Sequence, residues 1–166
     1  MVDLIRFGTH LFAGPWRTAE YFSEKNLARI EAAIRESEKL HSGEVRFVVE
    51  VALPLSALLR GTSPRTRALQ IFSDLKIWDT EHNNGILLYL LLADRDIEIV
   101  ADRGILKCLP QSGWDEICKE IENAFKKGDY EQGVVEGIQK MTLLLKHHFP
   151  GSVDDKDELE NRPVVL

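Results

Sequence analysis

The chain has 166 residues, 44% of them hydrophobic, and a formal net charge of −6 at pH 7. This length and composition are typical of one globular domain that buries a sizeable core, and they exclude a disordered chain. The acidic balance argues against nucleic acid as a partner, because phosphate binding requires a basic surface. The two cysteines have neither metal-site nor redox spacing.

The N-terminal region is predicted to be an arm rather than a targeting segment. The first 25 residues lack the charged start, long apolar segment and cleavage site of a secretory signal. No apolar run approaches the roughly 20 residues that a spanning helix needs. We therefore expect a cytoplasmic protein without membrane insertion. Residues 1–22 are predicted to form an irregular arm, and its many apolar side chains indicate docking on the domain or on a partner.

The next part of the chain is predicted to contain two helices, one strand and one helical turn. In chain order they are a helix from Ser23 to about His41, a strand over 44–53, a helical turn over 55–59 and a helix that begins at Ser63–Pro64. Both serines precede apolar residues at helical spacing, as N-cap residues do. Pro64 then occupies the first helical position, where its missing N–H is not needed.

A central strand follows, around which the fold is organised. Eight of the nine residues from Gly85 to Ala93 are apolar, and polar residues that favour turns flank both ends. Such a short run is typical of a strand buried on both faces. Ile97–Ala101 is predicted to pair with it as the second strand of a hairpin, since Asp94–Asp96 suits the connection.

Two helices and a tail complete the chain. One helix is predicted to be capped by Ser112 and to end at Gly128, and the last runs from about Tyr130 to His148. The acidic segment from Asp154 to Glu160 is predicted to be a solvated tail. The predicted organisation is an arm over 1–22, a domain over 23–150 and an acidic tail over 151–166.

The element order predicts a three-layer α/β/α sandwich with a mixed sheet of about three to four strands. A strand, a crossover helix and a second strand form a parallel unit, to which the hairpin strand adds antiparallel. In this topology the starts of the first two strands and the end of the third lie at one end of the sheet. Three polar stretches are therefore expected to converge: 41–44, 78–85 and 102–104.

This polar end is the candidate site. Its oxygen-bearing side chains are those of Glu44, Asp79, Glu81, Asn83, Asn84 and Asp102. Carboxylate and amide oxygens suit Ca²⁺ or Mg²⁺, and Ca²⁺ accepts irregular geometry on loops more readily. The alternative is that these residues only form turns and a solvated strand end. His82 fits either a ligand or an exposed loop residue.

A second candidate lies at the other end of the sheet. Asp94–Arg95–Asp96 follows an apolar strand, as the Asp-x-Asp start of haloacid-dehalogenase-like phosphatases does. However, Glu98 stands where that family has Thr or Val, and Asp96 passes directly into a strand. A hairpin turn explains these residues better.

A family resemblance is carried by the polar stretches. Ser42–Gly43–Glu44 before the first strand, Asn84–Gly85–Ile86 at the second and Asp102–Arg103–Gly104 after the third resemble a TPM domain over about residues 23 to 150. The resemblance is greatest to short bacterial forms that lack a signal peptide. It implies an α/β/α sandwich, divalent-cation binding in some members and acid phosphatase activity in plant relatives. The usual Asp before Asn-Gly is Asn83 here.

Three functions are consistent with these observations. The first is a non-catalytic binding or adaptor module that takes Ca²⁺ or Mg²⁺ at Glu44, Asp79, Glu81, Asn84 and Asp102 and serves an envelope-associated assembly. The resemblance implies an unknown protein partner for it, such as a LemA-type membrane protein. The second is a metal-assisted phosphomonoester hydrolase that uses the same carboxylates. The third is a structural adaptor without a metal, which docks through the N-terminal arm.

Overall fold

The computed structural model describes residues 4–14, 16–151 and 157–166. Within those ranges the chain forms eight helices and four strands. In chain order they are α1 (Leu4–Leu11), α2 (Trp16–Tyr21), α3 (Glu24–Glu38), β1 (Glu44–Glu50), α4 (Leu55–Leu59), α5 (Pro64–Asp74), β2 (Gly85–Leu91), β3 (Asp96–Ala101), α6 (Arg103–Leu106), α7 (Gln111–Lys126), α8 (Tyr130–His148) and β4 (Val164–Val165).

The sheet is mixed, with the strand order β3-β2-β1-β4. β1 and β2 run parallel, with Glu44 opposite Gly85, and β3 pairs antiparallel with β2, with Ala101 opposite Ile86. A parallel pair with an antiparallel hairpin strand was expected from the element order. The outer strand β4 runs parallel to β1 and forms the other edge.

Helices cover both faces of the sheet and form the outer layers of an α/β/α sandwich. α3, α7 and α8 lie on one face and share a core with the alternate β1 side chains Val45, Phe47 and Val49. α3 contacts β1, α7 contacts β3, and α8 packs on both helices. α4 and α5 lie on the other face, against Val48 of β1 and Leu87 and Leu91 of β2. Every residue of β2 is buried. The prediction of a central strand enclosed on both faces is confirmed.

The predicted helix starts are present where the sequence supplies caps. The Ser23 hydroxyl accepts a hydrogen bond from the Asn26 N–H at 3.3 Å, and the Ser63 hydroxyl accepts one from the Thr66 N–H at 3.1 Å. Each bond satisfies a backbone donor that the first helical turn leaves without an intrahelical acceptor. The Ser112 cap was wrong, because Pro110 holds the N-cap conformation (φ −67°, ψ 158°) and α7 begins at Gln111.

The N-terminal arm is not irregular, which corrects the sequence-based expectation. It forms α1 and α2, and the second of these leads into Phe22, whose side chain is in the main core. The apolar residues of α1 recur with helical periodicity, so the sequence does contain a local signal for this helix.

The C-terminal region contributes to the sheet. Val164 and Val165 pair with Val48 and Val49, and the Leu166 N–H donates to the Val49 carbonyl at 2.9 Å. The tail predicted over 151–166 therefore includes a strand. Asp154 and Asp155, part of the predicted solvated segment, lie outside the described residues.

Candidate functional site

The three polar stretches meet at the start of β2, as the topology predicts. The Glu44 N–H donates to the Asn84 carbonyl at 3.0 Å, and the Asp102 N–H donates to the Gly85 carbonyl at 2.9 Å. The Gly104 N–H donates to the Asn83 carbonyl at 3.0 Å. Backbone hydrogen bonds thus join all three stretches into one unit, which we call the loop cluster.

Two glycines allow the backbones of the loop cluster to approach one another. A Cβ atom at Gly85 would overlap the Ile77 carbonyl, and one at Gly104 would overlap the carbonyls of His82 and Asn83. These contacts are with backbone atoms, which cannot rotate away. Gly85 and Gly104 are therefore required by packing, independently of any ligand.

Asn84 is a buried polar residue of the loop cluster, with 2% of its surface exposed. Its N–H donates to the Thr80 hydroxyl at 3.0 Å, and its side-chain amide donates to the Ser42 carbonyl. The side-chain oxygen Oδ1 is buried and has no hydrogen-bond partner among the described residues. A buried acceptor left unpaired costs about 1–3 kcal/mol, so this oxygen is a site where a ligand would be stabilised.

Asp102 presents a second oxygen of the same kind. It is the N-cap of α6, and its Oδ1 accepts a hydrogen bond from the Arg103 N–H at 2.6 Å. Its Oδ2 is buried and lacks a partner in the part of the chain that the structure describes. The carboxylate is thus fixed by one oxygen and leaves the other available.

The neighbouring Asn83 is held in place by Arg103. The Arg103 Nε–H donates to Asn83 Oδ1 at 2.7 Å, so that amide oxygen is already used. Asn83 has a φ of 53°, in the left-handed region that asparagine tolerates better than most residues. Its role here is to shape the turn before β2.

Asp79, Glu81 and His82 are exposed on the loop that leads to Asn84. The Glu81 N–H donates to both carboxylate oxygens of Glu158, at 3.1 and 3.3 Å. The C-terminal segment therefore brings a further carboxylate to this loop, although the sequence placed Glu158 in a solvated tail. No local signal in the sequence would have found this contact, because the two residues are 77 positions apart.

Glu44 faces a different set of groups from Asp102. It is 4% exposed, and its Oε2 accepts hydrogen bonds from the N–H groups of Glu158 and Leu159 at 3.2 and 3.1 Å. Burial raises the pKa of Glu44, and the negative charges of Asp157 and Glu158 add to this rise. The two hydrogen bonds act in the opposite direction, and the resulting pKa is about 7. Glu44 thus holds the C-terminal segment against the start of β1.

The half-buried Glu38 forms an acidic pair with the buried Glu44, which sequence reasoning missed. Its Oε1 accepts a hydrogen bond from the Val45 N–H at 2.8 Å, and its Oε2 is buried without a partner among the described residues. Burial raises the pKa of Glu38 to about 8, and the negative charges of Glu44 and Asp157 add to the effect.

The carboxylates of the candidate site do not form a single metal cluster. Among residues 4–14, 16–151 and 157–166, no group of three or more His, Cys, Asp or Glu side chains is placed to hold a metal ion. Within the loop cluster, among the described residues, two buried side-chain oxygens lack a partner: the amide oxygen Asn84 Oδ1 and the carboxylate oxygen Asp102 Oδ2. This set suits a hard cation that keeps several water ligands.

The other candidate, Asp94–Arg95–Asp96, is a hairpin turn, and β3 begins at its last residue. Asp94 nevertheless has partners that the sequence did not suggest. Arg6 binds its carboxylate at 2.7 and 2.9 Å, and His10 lies 2.9 Å from it. Burial acts to raise the pKa of Asp94, but the hydrogen bonds from Arg6 and His10 outweigh it and hold that pKa below its usual value.

Comparisons with known proteins agree with this architecture. A family model described as "TPM domain" matches residues 17–143. The solution structure of the BA42 protein from the psychrophilic bacterium Bizionia argentinensis is 33% identical, with a TM-score of 0.76, over 86% of this chain and 93% of that one. The N-terminal domain of a protein from P. gingivalis has a TM-score of 0.60 over 89% of this chain and 90% of its own, and at 20% identity it supports the fold alone.

None of the curated proteins matches the chain. In the part of the chain that the structure describes, no helix combines the length and the apolar character needed to cross a membrane.

Proposed function

The chain belongs to the TPM domain family, and we propose that it is a non-catalytic binding module that takes a divalent cation, Ca²⁺ or Mg²⁺, at the loop cluster. The observation that carries the proposal is the pair of buried oxygens without partners, Asn84 Oδ1 and Asp102 Oδ2, on two stretches that backbone hydrogen bonds join. A bound cation would satisfy both.

The donor set indicates which cation and what affinity to expect. Amide and carboxylate oxygens are hard ligands, and the exposed carboxylates of Asp79 and Glu81 lie on the same loop as Asn84. Ca²⁺ tolerates irregular geometry, whereas Mg²⁺ demands a near-ideal octahedron. Because few charged ligands are fixed in advance, we expect binding in the range of about 10⁻⁴ to 10⁻³ M, as for weakly charged calcium sites.

The chain's own residues have distinct parts in this proposal. Asp102 and Asn84 would hold the ion. Arg103 binds the Asn83 side chain and thereby fixes the turn that leads into β2. Glu44 was predicted as a metal ligand, but we propose that it holds the C-terminal segment instead. Its Oε2 accepts hydrogen bonds from two N–H groups of that segment. The LemA-type partner and the envelope-associated assembly stay predictions from the family resemblance.

The test is a thermal melt of chelator-treated protein with and without added Ca²⁺ or Mg²⁺. An ion that binds only the folded chain stabilises it by about 2.7 kcal/mol at a hundredfold excess over the dissociation constant. We expect Ca²⁺ to raise the melting temperature and Asp102→Asn to abolish the increase. Asparagine is also a good N-cap residue, so this substitution preserves the start of α6.

Asp129→Asn is the matched control, since Asp129 is an exposed N-cap residue of α8 whose side chain makes no capping bond. The control should retain the full Ca²⁺ response. Equal melting temperatures with and without either ion would refute the cation site and favour the metal-free adaptor. Turnover of a phosphomonoester that survives purification and disappears in Asp102→Asn would instead support the metal-assisted hydrolase.

A further inference from the structure

Helix α1 docks on the domain through Phe7, which packs against the core, and through two polar side chains, Arg6 and His10. Arg6 pairs with Asp94 and also donates to the Thr62 carbonyl at 3.0 Å. His10 is 4% exposed, and its Nδ1 accepts a hydrogen bond from the Leu53 N–H at 3.0 Å. Because Nδ1 accepts, the proton of the neutral ring is on Nε2, which faces Asp94 at 2.9 Å. These contacts fix the orientation of α1.

Five other apolar side chains of the arm point away from the domain. We call five residues the arm face: Leu4 (82% exposed), Ile5 (84%), Leu11 (62%), Phe12 (77%) and Trp16 (65%). Such large exposed fractions mean that the side chains project from the surface rather than line a groove. Apolar side chains grouped in this way mark an interaction site more often than isolated ones do.

The charge around the arm face differs from that of the whole chain. Although 27 of the 166 residues are acidic, residues 4–19 and 51–73 contain no Asp or Glu. α1 contacts the second of these stretches at Leu53 and Thr62. Three of the basic residues in these stretches, Arg6, Arg65 and Arg67, already pair with carboxylates. Arg60 is exposed at the end of α4, which also exposes Leu55 and Leu59.

We propose that the arm face docks on an anionic lipid surface, with α1 lying in the plane of the membrane interface. Helices that bind at this interface combine projecting Leu, Phe and Trp side chains with basic residues nearby. The absence of carboxylates from residues 4–19 and 51–73 removes the repulsion that the net charge of −6 would otherwise cause. At eight residues, α1 is too short to span the membrane, so it binds on the surface.

A second copy of the chain fits this surface less well. A symmetric dimer places the same patch of each protomer against itself. The exposed Arg60 of each protomer would then come to one interface that supplies no opposite charge, which is unfavourable. A lipid surface with anionic headgroups supplies both the apolar contact and the opposite charge.

The experiment is co-sedimentation with vesicles, combined with tryptophan fluorescence. One set of vesicles is phosphatidylcholine alone, and the other contains phosphatidylcholine and phosphatidylglycerol at about 2:1, a fraction that gives a negative surface. A chelator is present throughout, so that cations cannot bridge the protein to the lipid. Trp78→Phe serves as the background because Trp78 is also exposed, whereas Trp114 is fully buried.

We expect binding to the anionic vesicles with a blue shift of Trp16 emission, and weaker binding at high salt. The double variant Leu11→Gln with Phe12→Gln should weaken binding about tenfold or more, because it removes two projecting apolar side chains. Leu143→Gln is the matched control, since Leu143 is an equally exposed leucine (69%) on α8. It should bind as the parent does.

Three outcomes would overturn the proposal. One is that the parent protein does not sediment with either kind of vesicle. Another is that the double variant and Leu143→Gln bind equally well, which would place the lipid contact elsewhere. The third is self-association without lipid that the double variant abolishes, which would assign the arm face to a second copy. None of these outcomes depends on cation binding at the loop cluster.

Discussion

Glu50 is a buried carboxylate whose oxygens are fully used. It is 3% exposed, and Arg67 binds it through two nitrogens at 2.7 and 2.9 Å. The Tyr89 hydroxyl donates to its Oε2 at 2.6 Å, and burial together with this bond raises the pKa of Tyr89. The group stabilises the fold only as a complete set, because burial makes each unpaired member costly.

Arg67→Met should therefore destabilise the protein by about 3–5 kcal/mol at pH 7, since it leaves Glu50 buried without its counter-charge. Urea denaturation measures the loss. Arg35→Met is the control, because Arg35 is 58% exposed and pairs with Glu31 on the surface of α3. Exposed pairs contribute about 1 kcal/mol or less. Similar losses in both variants would contradict this account of Glu50.

Among the secondary-structure elements, β4 protects the edge of the sheet. Its residues pair with Val48 and Val49 of β1, and the Val51 N–H donates to the Leu166 carbonyl at 3.2 Å. Without β4, the backbone N–H and C=O groups of β1 would form an open edge. Open edges of apolar strands pair readily with other chains.

Deletion of residues 162–166 should thus increase self-association compared with the full chain, as measured by sedimentation velocity. Leu166→Ala is the control, because it shortens a side chain that is 48% exposed and keeps the backbone of β4. It should sediment as the parent does. An unchanged association state after the deletion would show that β4 does not guard the edge.

At the scale of the whole molecule, buried titratable groups make stability depend on pH. Burial raises the pKa of Glu38 to about 8 and that of Glu44 and Asp96 to about 7. The folded chain therefore holds protons that the unfolded chain has already released, so stability falls as the pH rises towards 8. Burial lowers the pKa of His41 from its ordinary value of 6.5 to about 4. Through this group, stability rises as the pH rises from 4 to 6.5, because the unfolded chain binds the proton more tightly.

Between pH 6.5 and 8 the three carboxyl groups outweigh the opposite effect of His41, so we expect the free energy of unfolding to fall. Each extra proton bound by the folded state contributes about 1.4 kcal/mol per pH unit. Glu38→Gln should reduce the slope of the free energy of unfolding against pH, because it removes one of the titrating carboxyl groups. Glutamine keeps an acceptor for the Val45 N–H. Glu36→Gln, at a side chain 68% exposed on the same helix, should not. A flat profile in the parent would contradict the burial of these protons.

Much of the fold could be predicted because its signals are local. The apolar run of β2, the caps at Ser23 and Ser63 and the bounds of α8 each depend on residues close together in the chain. Topology then placed the three polar stretches at one end of the sheet. The candidate site could be predicted only as a location, because a side chain's free oxygens depend on what else contacts it.

The sequence by itself determined the order of the elements from α3 to β3, the sandwich and the meeting of the loops at β2. Only the tertiary structure decided that Glu44 holds the C-terminal segment, that one oxygen of Glu38 is buried, and that α1 exposes most of its apolar side chains. The physical reason is sequence separation: Glu44 and Leu159 are 115 positions apart, and His10 and Asp94 are 84 apart. Burial and charge at such contacts arise when the chain folds, and no local pattern encodes them.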